Sequence, residues 1–288
     1  MSGFEAACRL LPPEIRRAAQ RLSPDIRAKA QEFRLRLDRK PRLTMQEGDI
    51  VLDGLRPVTT ADLARVLEIA EHASPYASEA AIRQGYVCAD GGVRVGLCGR
   101  VRSGAEGVWA QTHLTSLSIR IPREVRGCAS PFCRAPFRST LILSPPGGGK
   151  TTLLRDMVRL LSDGGLRVCL CDERGEVAAP GTFGFGFDVG ERTDVLSERP
   201  KNAAAMQLLR TMNPQVLAMD EITAREDADA CLAAADSGVE LLATVHAADR
   251  DELCRSGRCR ELLDRGVFER YICIVRTPSG REYREGYF

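Results

Sequence analysis

The chain has 288 residues, of which 44% are hydrophobic and 28% charged, with a formal net charge of +2. That is the composition of a globular protein of one or two domains, and it excludes a disordered or fibrous chain. No apolar run approaches the roughly 20 residues that span a bilayer, and Met1 to Cys8 lacks a basic stretch followed by an apolar core, so neither a membrane span nor a signal peptide is expected.

The charge is uneven. Residues 1–138 hold 22 Lys and Arg against 15 Asp and Glu, a net of +7; residues 139–288 hold 19 against 24, a net of −5. A basic first part suits an acidic surface, lipid headgroups or a neighbour's nucleotide. Aromatic residues make up 5% of the chain, too few for the stacking platform of a single-stranded nucleic-acid binder. The eleven cysteines include no Cys-x-x-Cys pair and there are three histidines, so reduced thiols are expected rather than a metal centre.

In chain order, Pro12-Pro13-Glu14 reads as a helix start, followed by Ile15, Ala18, Ala19 and Leu22 at helical spacing. Phe33, Leu35 and Leu37 alternate with Arg34, Arg36 and Asp38, which predicts a strand. Turns at Gly48-Asp49 and Asp53-Gly54 flank Ile50-Val51-Leu52, and a helix starts at Thr60. Gly91-Gly92 between Tyr86-Val87-Cys88 and Val93-Arg94-Val95-Gly96-Leu97 predicts a hairpin, and Leu117 to Ile121 alternates again. Residues 1–126 therefore read as a small α+β domain, followed by a Pro-rich linker over 127–137. From 138 to 288 continuous apolar strands (140–143, 166–171, 215–219, 240–245) alternate with helices near 150–162, 202–212, 224–236 and 249–265. That pattern predicts an α/β fold whose parallel sheet is covered on both faces. A closing hairpin pairs Tyr271–Val275 with Arg281–Tyr283 across Pro278-Ser279-Gly280 at the sheet edge.

The chemistry concentrates in this second part. Ser144-Pro145-Pro146-Gly147-Gly148-Gly149-Lys150-Thr151-Thr152 lies between an apolar strand and a helix, the layout of a phosphate-binding loop. Glycines let backbone N–H groups close around phosphate oxygens, and the helix N-terminus adds positive potential. Lys150 would reach the β- and γ-phosphates of ATP and the Thr151 hydroxyl would ligate Mg²⁺. Ser144 stands where the usual pattern has its first glycine. Val216 to Glu221 is an apolar strand ending in two acids; Asp220 would hold Mg²⁺ and Glu221 would polarise the attacking water. Asp172, Glu173 and Glu176 follow another apolar strand, and Thr244 and His246 end a third, which places all of them on the ligand side of a parallel sheet.

Loop, acidic box, second acidic-ended strand and histidine box, in this order, resemble the hexameric secretion and pilus-type ATPases. A closer resemblance covers nearly the whole chain, to the stage III sporulation AA family, the ATPase of a mother-cell complex in endospore formers. It rests on Glu32–Arg36, Ser74-Pro75-Tyr76-Ala77, Gly85-Tyr86, Gly91–Arg100, Ser118–Ile121, Asp172–Glu176, Arg192–Leu196, Pro200-Lys201 and Thr244–His246. The resemblance implies a RecA-like core that forms a homo-oligomeric, hexameric ring with ATP between subunits. It implies a cytoplasmic protein, peripheral to the membrane proteins of a sporulation complex, with neither nucleic acid nor direct membrane insertion. Arginines of the N-terminal domain would then complete a neighbour's site, with Arg94 and Arg120, and further Arg100 and Arg123, as candidates; Arg192 and Lys201 could serve from within the core. His246 could sense the γ-phosphate. Two alternatives stand beside a hydrolysing ring: an ATP-gated assembly scaffold with little turnover, and a RecA-like nucleic-acid motor.

Overall fold

The computed structural model describes residues 2–45, 47–72, 85–103, 109–181, 184–197, 199–257, 259–277 and 280–288, without the side chains of 72, 101–103, 109–112, 180–181 and 184–185. Ser74–Ala77 and the turn residues Pro278 and Ser279 lie outside them. The chain divides into two compact units, one of residues 1–124 with 179–186, the other of residues 125–178 with 187–288.

Among the described residues the first unit is an antiparallel sheet with four α-helices. The helices are α1 (Gly3–Leu10), α2 (Pro13–Gln20), α3 (Pro24–Lys29) and α4 (Thr60–His72). The sheet runs β3-β2-β1-β6-β5-β4, from β1 (Ala30–Arg36), β2 (Arg42–Met45), β3 (Gly48–Val51), β4 (Tyr86–Ala89), β5 (Val93–Ser103) and β6 (Trp109–Arg120). Alternation in β1 sends Phe33 and Leu35 inward, where they meet Leu43, Ile119 and Leu117 as register partners. Ser2 caps α1 reciprocally with Glu5, a helix start ahead of the expected one at Pro13. The Gly91-Gly92 hairpin forms as expected between Ala89 and Val93, because both glycines take positive φ (77° and 75°). A two-stranded ribbon, β9 (Pro180–Gly181) with β10 (Gly184–Phe185), also belongs to this unit. Gly186 closes it, with no room for a side chain: a Cβ there would lie 2.7 Å from the Gly91 backbone.

The second unit is the expected α/β layer structure. Its seven-stranded sheet has the order β11-β8-β12-β13-β7-β14-β15, built from β7 (Thr140–Leu143), β8 (Val168–Asp172), β11 (Thr193–Ser197), β12 (Val216–Met219), β13 (Glu240–Val245), β14 (Arg270–Thr277) and β15 (Gly280–Tyr287). All neighbours are parallel except the last pair. Helices α5 (Lys150–Asp163), α6 (Lys201–Thr211), α7 (Arg225–Asp236), α8 (Arg250–Ser256) and α9 (Arg260–Asp264) connect the strands. Strand residues alternate between two apolar layers. Val168, Leu170, Val216, Ala218 and Ile142 pack with Leu153, Leu154, Met157 and Val158 of α5. Cys169, Cys171, Leu217, Met219 and Leu141 pack with Ala204, Leu208, Cys231 and Leu232 of α6 and α7. Both faces are therefore covered, which is why these strands read as unbroken apolar runs.

Three features depart from the sequence reading. The single helix expected over 249–265 is two, α8 and α9, because Gly257 takes a left-handed φ of 68° and ends the first. Strand β11, on the sheet edge, was not expected: Thr193 to Ser197 carries only Val195 and Leu196 as apolar residues. Within 127–137, read as a Pro-rich linker, Ala129, Phe132 and Phe137 are buried against the α5 layer.

Candidate active site

Parallel register brings the carboxyl ends of β7, β8, β12 and β13 to one edge: Leu143 pairs with Val245, Met219 with Cys171 and with Ala243. The residues just beyond each strand therefore converge, and they line a cleft of about 400 Å³. Gly147, Gly149, Lys150, Thr151 and Thr152 form one wall; Asp220, Glu221 and His246 face them; Asp172, Glu173, Glu176 and Lys201 complete the acidic side.

The glycine loop makes α5 an open helix N-terminus. Gly149 takes a left-handed φ of 111° at the N-cap position and supplies no side-chain cap, so the first N–H groups of α5 have no side-chain acceptor there. Gly147 is left-handed as well, with a φ of 69°. Ser144, at the position where a glycine is usual, is fully buried, and its hydroxyl donates to the Pro145 carbonyl at 2.9 Å. Room for that hydroxyl exists because residue 148 is glycine: a Cβ there would lie 1.7 Å from Ser144 Oγ.

Lys150 is 7% exposed and forms no ion pair among the described residues. Burial pulls its ammonium pKa down, against the opposing pull of Glu221 and Asp220. Its Nζ lies 2.7 Å from His246 Nδ1 and 3.4 Å from the Ser144 carbonyl oxygen. An ammonium donating to Nδ1 leaves the ring proton on Nε2, which stands 3.1 Å from Glu221 Oε1. His246 thus links the loop lysine to the acid of β12. Thr151 and Thr244 each direct a hydroxyl at Asp220, on Oδ2 and Oδ1, both at 3.2 Å. Burial pushes the Asp220 carboxyl upward in pKa, with the two hydroxyls pulling it down.

Glu221 has a φ of 52°, a left-handed conformation that costs a non-glycine residue of order 1–3 kcal/mol. Both of its backbone groups are held. Its N–H donates to Thr244 Oγ1 at 3.0 Å, and Lys201 Nζ donates to its carbonyl at 2.6 Å. Lys201 also stands 3.4 Å from Asp227 Oδ2 and 3.7 Å from Glu173 Oε2. Its place is therefore beneath Glu221 as well as in the cleft.

Asp172 lines the cleft, but its carboxylate is committed to its own loop, accepting from the N–H groups of Glu176, Val177 and Ala178. Glu173 and Glu176, the other acids of the box, are exposed and line the cleft. Arg192 does not reach the site. It precedes β11 at the opposite end of the parallel sheet, where its carbonyl accepts from Val168 N–H and its guanidinium donates to the Gly165 carbonyl. Arg94 and Arg120 belong to the first unit; they are direct register partners on β5 and β6, and the Arg94 guanidinium covers the Tyr86 ring at 3.9 Å. Pro145 and Pro146 shape the loop without lining the cleft, whereas Arg174 and Arg281 line it and were not singled out from sequence.

The residues fit a magnesium–nucleotide. An uncapped helix N-terminus and a buried ammonium with no ion pair among the described residues call for an anion, and a carboxylate approached by two hydroxyls beside them suits a hard cation.

The fold and this site define the class: a RecA-like P-loop core of the kind found in secretion ATPases. The solved ATPase DotB of Legionella pneumophila matches with a TM-score of 0.61 at 15% identity, covering 96% of this chain and 81% of that one. The pilus retraction motor PilT, solved with bound ADP, matches with a TM-score of 0.59 at 16% identity, covering 89% and 78%. The chain belongs to the family described as sporulation stage III, protein AA, whose model matches residues 4–283. It is 32% identical over 279 residues to Stage III sporulation protein AA of Bacillus subtilis (strain 168), spanning 94% of this chain and 90% of that protein.

Proposed function

We propose that the protein is an ATP-binding and ATP-hydrolysing ring ATPase that energises a membrane-associated, secretion-like sporulation complex. The observation that carries this reading is the convergence of an uncapped glycine-bounded helix N-terminus, a buried lysine and the Asp220-Glu221 pair at one strand edge. Lys150 and the first N–H groups of α5 bind the phosphates. Thr151 and Asp220 are the residues that would hold Mg²⁺, which when bound neutralises charge on the phosphate oxygens. Glu221 orients and polarises water for attack, fixed in its left-handed conformation by Thr244 and Lys201. Glu173 and Glu176 assist from the neighbouring strand. His246 holds Lys150 and Glu221 together in this state, so a phosphate that draws Lys150 away also changes what Glu221 faces.

We further propose a hexamer in which Arg94 and Arg120 of a neighbour offset developing charge on the phosphates, as arginine fingers do. Family membership and the likeness to Stage III sporulation protein AA of Bacillus subtilis support the sporulation setting. Among the described residues no helix is long and apolar enough to cross a membrane. The test is ATP turnover against protein concentration. Specific activity should rise as rings assemble, and mixing Glu221→Gln with Arg120→Ala subunits should restore part of it. Turnover independent of concentration, with no rescue, would mean that one chain holds a complete site.

A further inference from the structure

We infer that the carboxy-terminal hairpin is part of the phosphate site: Arg281 is a polyphosphate ligand supplied in cis, and Arg276 is a positioning residue for the glycine loop. This rests on the nucleotide reading above and extends it to residues that neither the loop nor the acidic boxes contain.

Arg276 on β14 and Arg281 on β15 are direct cross-strand partners. Like charges at such positions sit about 5 Å apart at Cβ and destabilise a hairpin. The nearby Glu282 is taken by Arg284, at 3.0 Å, and does not relieve them. Both arginines turn instead to the glycine loop. Arg276 Nη2 donates to the Gly147 carbonyl. The Arg281 side chain lies over Gly149, where an added Cβ would be 3.1 Å from its Nε and 3.2 Å from its Cζ. The two left-handed glycines that open the helix terminus thus also make room for the two guanidinium groups; a Cβ on Gly147 would sit 3.0 Å from Arg276 Nη2.

Arg281 lines the cleft and makes no ion pair or hydrogen bond among the described residues. It is an exposed cation, aimed at a loop with unpaired N–H groups and placed opposite a second cation, and an anion in the cleft resolves each of these at once. Because Arg276 fixes the Gly147 peptide, it sets the direction of the loop rather than touching the ligand itself. The ligand class is a nucleoside polyphosphate, whose charge Arg281 would share with Lys150.

The opposing signs of the expected effects make the test. In the full-length protein, Arg281→Ala should weaken calorimetric ATP binding by about tenfold or more, with a smaller loss for AMP, and Arg281→Lys should recover part of it. The same Arg281→Ala protein without nucleotide should melt at the wild-type temperature or slightly above, since a like-charge pair is relieved. Wild-type ATP affinity in Arg281→Ala, alongside lost binding in Lys150→Ala, would overturn the hairpin assignment and leave the loop reading intact. A lowered melting temperature of Arg281→Ala without nucleotide would overturn it too, by making the residue structural. A wild-type protein that binds no nucleotide would overturn both.

Discussion

Gly148→Ala should damage this protein far more with Ser144 in place than with glycine there. The added methyl would lie 1.7 Å from Ser144 Oγ, 3.1 Å from Ser144 Cβ and 3.1 Å from the Pro145 carbonyl oxygen. The serine has nowhere to go, being fully buried. Rotating its hydroxyl away breaks the 2.9 Å bond to the Pro145 carbonyl and still leaves the Cβ contact. Overpacking of this kind costs about 2–3 kcal/mol. In Ser144→Gly/Gly148→Ala both serine contacts are gone and the 3.1 Å approach to the Pro145 carbonyl remains, so the methyl should then cost under about 1 kcal/mol. Ser144→Gly alone should cost about 1 kcal/mol, through added chain entropy and one lost hydrogen bond. Urea unfolding of the four proteins gives the coupling, expected at about 1.5–2 kcal/mol. ATP binding measured on the same four should follow stability, because both changes act on loop shape and not on Lys150. A coupling within error of zero would refute the idea that Gly148 is what admits serine at the first loop position.

Asp62 gives a pH prediction. Its carboxyl is held down to about 2 chiefly by hydrogen bonds from Arg56 (2.7 and 3.1 Å), with Thr59 adding two more. A depressed folded pKa contributes stability that is complete above the unfolded value near 4 and is lost as pH falls toward 2. Asp62→Asn should therefore cost about 1–2 kcal/mol at pH 7, discounted for the half-exposed Arg56, and the melting curves of mutant and wild type should draw together as pH falls from about 4 to about 2; parallel curves from pH 7 to 2 would refute it. Lys201→Met should destabilise by about 3 kcal/mol, because it strands the buried Asp227 and frees the Glu221 carbonyl. Lys201→Met/Asp227→Asn should regain part of that, and a double mutant no more stable than the single would show that the pair is not what Lys201 supports.

Much of the core was legible because buried parallel strands carry their signal locally. Leu141-Ile142-Leu143 and Val216 to Met219 are apolar on both faces, as is Leu241 to Val245 but for Thr244, and the glycine loop, the acids and His246 follow them. Edge strands lack that signal. β11 is covered on part of its surface only and reads as a polar loop, and β2 has one fully buried residue, Leu43. The burial of Phe132 and Phe137 depends on α5 packing above them, which a Pro-rich composition does not report. At the site, the residues before and after each strand were found, but their couplings were not. That His246 joins Lys150 to Glu221, and that Lys201 holds a strained Glu221 backbone, follow from strand register over 96 and 20 residues of sequence. Arg276 and Arg281 were the nearest miss. They stand symmetrically about Pro278-Ser279 in the sequence, and only the placement of β14 beside β7 brings them to the loop.

The central claim is that one cleft binds ATP through Lys150 and hydrolyses it through Glu221, and a single paired measurement tests it most directly: calorimetric ATP binding and phosphate release for wild type, Lys150→Ala and Glu221→Gln in Mg²⁺. Lys150→Ala should neither bind nor hydrolyse ATP, while Glu221→Gln should bind it near wild-type affinity and release phosphate at least about a hundredfold more slowly, of the order expected for loss of a general base. Wild-type affinity in Lys150→Ala, or wild-type turnover in Glu221→Gln, would contradict it.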